Sequence, residues 1–463
     1  MIRQRLNPLD ARWLLMESRD TPMHIGALLT FQLPKDNTDN FLQELAEQYR
    51  AHKKPVSPWN LRLRRPNGIS ISPQMDTVRT LDMDYHFRHH ALPSPGGERE
   101  LGILVSRLHS HPLDKHRPLW EFHLIEGLEN NRFAIYVKLH PSLIHGSDVA
   151  PILRDVLTSK GDSLMPPFWT IERDTHTIEA SSFDSPAAEL ADKLNELTES
   201  VAATSSFAGK MFKSVVKGEG FKAPRLAPRS SVNASVNRQR RFATQQYDMT
   251  RFEKLTKAGN CTNSTIIAYL CGSAMRRFFK EYNALPDQPL RAAGALRLND
   301  YVDSDDREVV AKIGISLATH IADPIKRFEA VNRSIVRTRD YLSSLPEKAR
   351  SPYAIMTSLP IIAGHIRGIG RMVPSMFNVG ISNNEISEKA LYLSGAKLEA
   401  IYPMAHLMQY SALSFDCAIY NGTINIGLTG ARDTLPRLQR MALYMDQALA
   451  ELESLLLPEE AQA

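Results

Sequence analysis

Histidine is the residue whose type and spacing most readily suggest chemistry in this sequence. Six of the fifteen histidines lie between positions 109 and 145. His109 and His111 are two residues apart, so on a strand they would share a face and could bind a metal ion. Within that stretch, no cysteine and no histidine pair four residues apart supports such a site. The pattern therefore favours structural, hydrogen-bonded histidines, and we predict no metal site.

Most familiar catalytic signatures are missing from the sequence. It has no G-x-x-x-x-G-K-[ST] phosphate loop, no H-E-x-x-H and no G-x-S-x-G nucleophile elbow. The three cysteines, Cys261, Cys271 and Cys417, give neither a disulfide framework nor the spacing of metal ligands.

Regular elements must position the histidines. Residues 132–139 alternate, with Phe133, Ile135 and Val137 on one face and Tyr136 and Lys138 on the other, which predicts a strand that leads into His140. Apolar residues between 41 and 49 have helical spacing. Strands and helices therefore mix, which indicates an α/β or α+β fold.

The second half of the chain carries a hairpin signal. Two strand-like runs, 411–420 and 423–428, flank Asn421-Gly422, a pair that favours a tight primed turn. Asp433-Thr434 is predicted to cap the following helix, with Pro436 in its first turn. That helix has one apolar stripe, formed by Leu435, Leu438, Met441, Met445, Leu449, Leu452 and Leu456.

Length and composition predict how the chain is divided. With 463 residues, 43% apolar and 23% charged, it is typical of a soluble protein of two or three domains. No run approaches the roughly 18 apolar residues of a spanning helix, and the first residues lack the apolar core of a secretory signal. We predict one domain over 1–174, a helical and basic connector over 175–236, and a second domain over 237–463.

The positive charge is concentrated in one segment. Residues 210–241 contain nine basic side chains and one acidic side chain, whereas the whole chain has a net charge of +5. Such a patch suits lipid headgroups or coenzyme phosphates, and a solvated linker is the alternative. No zinc finger, helix-turn-helix or aromatic-interleaved basic pattern supports a nucleic-acid partner.

Short motifs along nearly the whole chain carry a family resemblance. Their order and spacing resemble those of the bacterial wax ester synthase/acyl-CoA:diacylglycerol acyltransferases. The motifs are Asn7-Pro8-Leu9-Asp10, Pro22-Met23-His24-Ile25-Gly26, Ala91-Leu92-Pro93-Ser94-Pro95-Gly96, Pro118-Leu119-Trp120-Glu121, Leu124-Ile125-Glu126-Gly127-Leu128, Asn378-Val379, Ser382-Asn383, Gly395-Ala396-Lys397-Leu398 and Tyr402-Pro403.

The resemblance implies a fold and a reaction. The fold would be two chloramphenicol-acetyltransferase-like domains, each a mixed β-sheet with flanking helices, joined by a helical connector. The reaction would move a fatty acyl group from acyl-CoA, as substrate and with no cofactor, to a long-chain alcohol or diacylglycerol in a tunnel between the domains. A histidine would take the alcohol proton, because a neutral imidazole accepts protons near pH 7.

The sequence departs from the family at that histidine. The family motif is H-H-x-x-x-D-G, and the aligned residues are His140-Pro141-Ser142-Leu143-Ile144-His145-Gly146. Pro141 stands at the base position and cannot accept a proton. His140 and His145 are the candidate replacements, although His140 would face away from position 141 if the strand continues. The candidate substrate-binding residues are Trp120, Asn263, Ser382 and Asn383, and for Trp120 a core position is the favoured alternative.

Two functions stay open on these residues. The first is an acyl-CoA-dependent acyltransferase with an altered site. The second is a non-catalytic homologue that binds acyl-CoA, a lipid surface or a sister acyltransferase. In either case we predict a cytoplasmic protein that associates with the inner membrane or lipid droplets through residues 207–241.

Overall fold

A computed structural model gives the fold. It describes the residues in the ranges 4–34, 40–68, 70, 72–144, 148–159, 165–173, 177–178, 226–297, 310–344 and 375–457. His145 and most of the 175–236 connector lie outside these ranges.

The first half of the chain contributes four strands to a six-stranded sheet, here called the N-terminal sheet. In chain order the elements are β1 (Gln4–Leu6), α1 (Pro8–Met16), β2 (Ile25–Gln32), α2 (Phe41–Ala51), β3 (Leu61–Leu63), β4 (Gln74–Thr77), α3 (Met83–His86), β5 (Phe87–Ala91), α4 (Glu98–Ser110), β6 (Trp120–Leu128), β7 (Arg132–Leu139), α5 (Val149–Val156) and β8 (Thr177–Ile178). Strands β2, β7, β6 and β5 are neighbours in this sheet, and β3-β4-β1-β8 forms a smaller one.

The second half builds the C-terminal sheet and its helical layer. The elements are β9 (Arg240–Asp248), α6 (Met249–Gly259), α7 (Asn263–Glu281), β10 (Arg291–Arg297), β11 (Val310–Ser316), α8 (Pro324–Ser343), β12 (Val379–Ser387), β13 (Tyr392–Leu393), β14 (Ala396–Met404), β15 (Leu413–Tyr420), β16 (Thr423–Ala431) and α9 (Gln439–Leu456). The sheet order is β11-β10-β12-β15-β16-β9, and β12 runs parallel to both of its neighbours. The mixed sheets with flanking helices confirm the predicted fold class.

Strand β14 ties the two halves together. Although it lies late in the chain, it pairs antiparallel with β2 and extends the N-terminal sheet. It also crosses β16, where a Cβ placed on Gly427 would come within 1.9 Å of the Pro403 carbonyl oxygen. Only a glycine allows this backbone approach. The two sheets are therefore joined by a strand that the second half of the chain contributes to the N-terminal sheet. The domain boundaries at residues 174 and 236 stay a prediction.

Several predicted elements are present, and one helix start was predicted wrongly. Strand β7 spans 132–139, and the hairpin β15–β16 turns at Asn421 and Gly422, both with positive φ. The last helix begins at Gln439, not after Asp433-Thr434. The Asp433 carboxylate accepts a hydrogen bond from the Asn237 amide, so it does not cap a helix.

The basic segment is only partly described, and one of its arginines is not on the surface. Arg240 begins β9, is 3% exposed, and donates to the carbonyl oxygens of Asn237 and Asp20. Its positive charge is therefore buried inside the fold and does not contribute to a basic surface. Among the described residues, no helix is both long and apolar enough to cross a bilayer.

Candidate functional site

Strand β7 ends immediately before the altered motif, which starts at His140. It pairs with β2 on one side and β6 on the other along its length, and the His140 N–H continues the ladder by donating to the Leu119 carbonyl at 3.0 Å. Val137 and Leu139 face an apolar pocket, whereas Lys138 points towards the C-terminal end of α4. The strand ends at Leu139, and residues 141–143 form a turn in which the Leu143 N–H donates to the His140 carbonyl at 2.9 Å, so the alternation does not extend to position 141. The position that the resemblance assigns to the base is occupied by Pro141, which is buried in this turn.

His140 is held in a buried hydrogen-bonded setting. Its Nδ1 accepts from the Ser142 N–H at 3.2 Å and lies 2.7 Å from the Ser142 hydroxyl. Its Nε2 faces the Glu17 carboxylate at 4.0 Å, and Glu17 is itself paired with Lys115 at 2.8 Å. Burial lowers the pKa of His140 to about 4, partly opposed by Glu17 and reinforced by Lys115. The imidazole is neutral at pH 7, and Ser142 occupies its basic nitrogen.

Trp120 is a core residue of the N-terminal domain. Its indole N–H donates to the Trp59 carbonyl at 2.9 Å, and its ring stacks on Trp169 at 5.1 Å. It also meets the edge of Phe168, which lines the apolar pocket. Trp120 therefore packs behind Phe168, a residue of the pocket wall, in agreement with the core position favoured for it.

The other candidate binding residues lie on separate elements. Asn263 opens α7 just after the capping Thr262, and its amide lies 3.7 Å from the Met249 sulfur. Ser382 and Asn383 are neighbours on β12, so their side chains point to opposite faces of the sheet. Asn383 is exposed, whereas Ser382 is partly buried and donates to Asp416.

Asp416 is a buried carboxylate that the sequence reasoning missed. It lies opposite Ser382 in the parallel pair β12–β15 and accepts from the hydroxyls of Ser382 at 2.7 Å and Ser414 at 2.8 Å. Burial raises its pKa to about 6, although both hydroxyls act in the other direction. An acidic residue inside the mostly apolar run of β15 was the available signal, because buried carboxylates are rare without a special role.

An apolar pocket opens beside β7. It encloses about 630 Å³, including the space at its mouth. Its walls come from β2, β7 and α5, and include Leu29, Ile135, Val137, Leu139 and Ile152. Helix α5 connects this pocket to the C-terminal sheet, since Arg154 donates to the Ile386 carbonyl of β12 at 3.5 Å.

The histidine cluster does not form a metal centre in the part of the chain that the structure describes, where no group of three potential ligands is found. His109 and His111 do not share a strand face, because His109 lies in the last turn of α4 and His111 just follows it. His109 Nδ1 bonds the Tyr136 hydroxyl at 2.7 Å, and Nε2 bonds the Ala405 carbonyl at 3.0 Å. It therefore joins α4, β7 and the segment after β14.

Comparison with known families matches almost the entire chain. Residues 6–267 match the wax ester synthase/diacylglycerol acyltransferase catalytic domain, and residues 309–453 match the WS/DGAT C-terminal domain. The O-acyltransferase WSD of Acinetobacter baylyi is 32% identical, over 98% of each chain. A relative from Mycobacterium tuberculosis with a provisional diacylglycerol O-acyltransferase name is 35% identical, over 97% of each chain.

Solved structures agree with these matches. The wax ester synthase/diacylglycerol acyltransferase from Marinobacter aquaeolei VT8 superposes with a TM-score of 0.79 at 30% identity, covering 98% of this chain and 99% of that chain. The first condensation domain of the calcium-dependent antibiotic synthetase reaches a TM-score of 0.53 at 13% identity, covering 99% and 97%. The second likeness concerns the fold alone.

Proposed function

This chain belongs to the wax ester synthase/diacylglycerol acyltransferase family, and we propose that it transfers a fatty acyl group from acyl-CoA to a long-chain alcohol or a diacylglycerol. The reaction needs no cofactor, because the thioester of acyl-CoA is itself the activated acyl donor.

The apolar pocket beside β7 carries this proposal. Its lining is aliphatic and aromatic, which suits an acyl chain and gives a polar ligand few partners. Val137 and Leu139, near the end of β7, line the pocket, so an acyl chain bound there would place its thioester near the altered motif that follows.

A direct assay tests the transfer. Purified protein with palmitoyl-CoA is expected to release CoA and form ester with hexadecanol, with a diacylglycerol, or with both. Leu153→Trp would fill part of the pocket and is expected to shift the preference towards shorter acyl-CoA donors. Ile103→Trp, at an exposed position of α4, is the matched control and is expected to leave the preference unchanged. An unchanged preference in Leu153→Trp would place the acyl chain elsewhere.

A non-catalytic homologue is the second candidate, and Pro141 favours it. Such a protein would bind acyl-CoA, a lipid surface or a sister acyltransferase without turnover. It predicts saturable acyl-CoA binding with no ester, and ester formation once Pro141→His supplies an imidazole at that position. If Pro141→His binds acyl-CoA and still forms no ester, more than the base has diverged.

We also place the protein in the cytoplasm, at the inner membrane or at lipid droplets, with contact through residues 207–241. The support is the charge of that segment and the apolar nature of the substrates. Vesicles containing anionic lipid are expected to bind the protein, and binding should weaken in Lys210→Gln/Lys213→Gln/Lys217→Gln. Lys254→Gln/Lys257→Gln, in α6, is the control. Equal binding by the first variant would exclude this contact.

A further inference from the structure

The Asp416 carboxylate lies on the face of the C-terminal sheet that meets the N-terminal domain. Along β15, Ala418 and Tyr420 share its face, and both are buried in the core that contains Phe133 and Ile135. Phe415 and Cys417 point the other way, into the core beneath α7 and α9. The polar group formed by Asp416, Ser382 and Ser414 is therefore at the junction of the two domains.

Ser382 is the most accessible residue of this polar group. Asp416 is 8% exposed, whereas Ser382 is more accessible. Further along the same face of β12, Ile386 meets the N-terminal core, and its carbonyl contacts α5, which lines the apolar pocket. A ligand that leaves the pocket along α5 would thus approach β12 on the face that carries the Ser382 hydroxyl.

We propose that Asp416, acting through the Ser382 hydroxyl, is the proton acceptor for acyl transfer in this chain and replaces the base that is missing at Pro141. The inference rests on the proposed function, because it assumes that the chain turns over acyl-CoA. Ser382 is the residue that touches the acceptor alcohol, and Ser414 positions the second carboxylate oxygen.

The proton transfer is balanced within the site. The acceptor oxygen attacks the thioester carbonyl carbon while its proton passes to Ser382 Oγ, and the Ser382 proton passes to Asp416. The carbon–sulfur bond then breaks. The proton returns by the same two groups to the leaving sulfur, so the products are an ester, CoA thiol and an ionised Asp416.

The surroundings of Asp416 suit a base near neutral pH. The residue opposite it on β12 is Ser382 and on β16 is Gly427, and Pro403 of β14 lies over Gly427. The titratable groups that interact electrostatically with Asp416 are the thiols of Cys417 and Cys271. Burial raises the pKa of both thiols, so both are neutral. Because burial also holds the pKa of Asp416 near 6, the carboxylate is mostly ionised at pH 7 and is a stronger base than an ordinary aspartate.

The experiment compares four proteins with palmitoyl-CoA and the preferred acceptor: wild type, Asp416→Asn, Ser382→Ala and the control Asp433→Asn. The kcat/KM of the wild type is expected to rise with pH, with a midpoint near 6. Asp416→Asn should lose about 10²–10⁴-fold and also lose this pH dependence. Ser382→Ala should fall in kcat, and Asp433→Asn, which removes a surface carboxylate, should match the wild type.

The outcomes separate this inference from the function on which it rests. An active wild type with an equally active Asp416→Asn would overturn the role of Asp416 alone. A wild type without activity that gains it in Pro141→His would overturn both the turnover and the role of Asp416. A structural role would instead lower the thermal stability of Asp416→Asn, whereas we expect it to unfold at the same or a higher temperature while activity is lost. Activity regained in Asp416→Asn/Pro141→His would show that only a base had been removed.

Discussion

Glu121 is the centre of a buried ion network whose removal has a predictable cost. Its carboxylate is 2.7 Å from Lys138 Nζ and 3.2 Å from His123 Nε2, and all three side chains are almost fully buried. Lys138 donates its remaining protons to the carbonyls of Leu108 and His111. The network therefore joins β6, the end of β7 and the end of α4, and its Lys138 lies two residues before His140.

The magnitude follows from the pKa of Glu121. Burial alone would raise this pKa, but the hydrogen bonds and charges of His123 and Lys138 outweigh burial and lower it from 4.5 to about 2. At 1.36 kcal/mol per pKa unit this corresponds to about 3 kcal/mol of stabilisation. Glu121→Gln also leaves Lys138 as an unpaired buried charge, for which losses of about 3–5 kcal/mol are typical.

Thermal unfolding measures this loss. For a domain of this size, about 3 kcal/mol corresponds to a fall in the transition temperature of about 6–12 °C. Glu126→Gln, on the same strand but 41% exposed and paired with His89, is the control and is expected to lose at most about 1 kcal/mol.

The pH dependence gives a second check. Since the folded pKa is depressed, the contribution of Glu121 is complete above about pH 4.5 and is lost as the pH falls through about 2. The gap between wild type and Glu121→Gln should therefore be smaller at about pH 4 than at about pH 7. Equal stability of Glu121→Gln and wild type at pH 7 would refute the reasoning.

Two further pairs of variants test the packing. Gly427→Ala should lower the free energy of unfolding by about 1–3 kcal/mol or more, because its Cβ would meet the Pro403 carbonyl oxygen at 1.9 Å. Gly102→Ala lies in helix α4, where no atom is closer than 4.0 Å to the new Cβ, and it should raise the free energy of unfolding, measured by chemical denaturation, by up to about 1 kcal/mol. Leu449→Ala should cost about 2–5 kcal/mol of unfolding free energy at its fully buried position, and Leu443→Ala, 53% exposed on the same helix, should change it by less than about 0.5 kcal/mol.

Local patterns predicted the elements whose own residues decide their conformation. Alternation was sufficient for β7, and Asn421-Gly422 was sufficient for the hairpin, because the required positive φ values suit these two residues. The start of α9 was missed because Asp433 has a partner far away in the chain, Asn237, that outcompetes the capping role. The same limit applies to β14, whose neighbour β2 is more than 350 residues earlier.

The candidate site was predictable only up to the orientation of its side chains. Alternation correctly separates Ser382 from Asn383, yet the adjacent pair was given as one site because the resemblance named them together. Asp416 could not be assigned without the pairing of β12 with β15, which brings it to Ser382 across the sheet.

The two buried carboxylates, Glu121 and Asp416, have opposite effects on the stability of the fold. Glu121 has cationic and imidazole partners that lower its pKa, so its charge stabilises the fold. Asp416 has only hydroxyl donors, and its pKa is raised from 3.8 to about 6, so its ionised form costs about 3 kcal/mol at pH 7. This cost is fully present above pH 6 and disappears as the pH falls towards 4. A buried carboxylate that destabilises the fold at pH 7 and lies beside a partly exposed hydroxyl has the properties that an acid–base group requires. Its contribution to stability alone does not explain its presence.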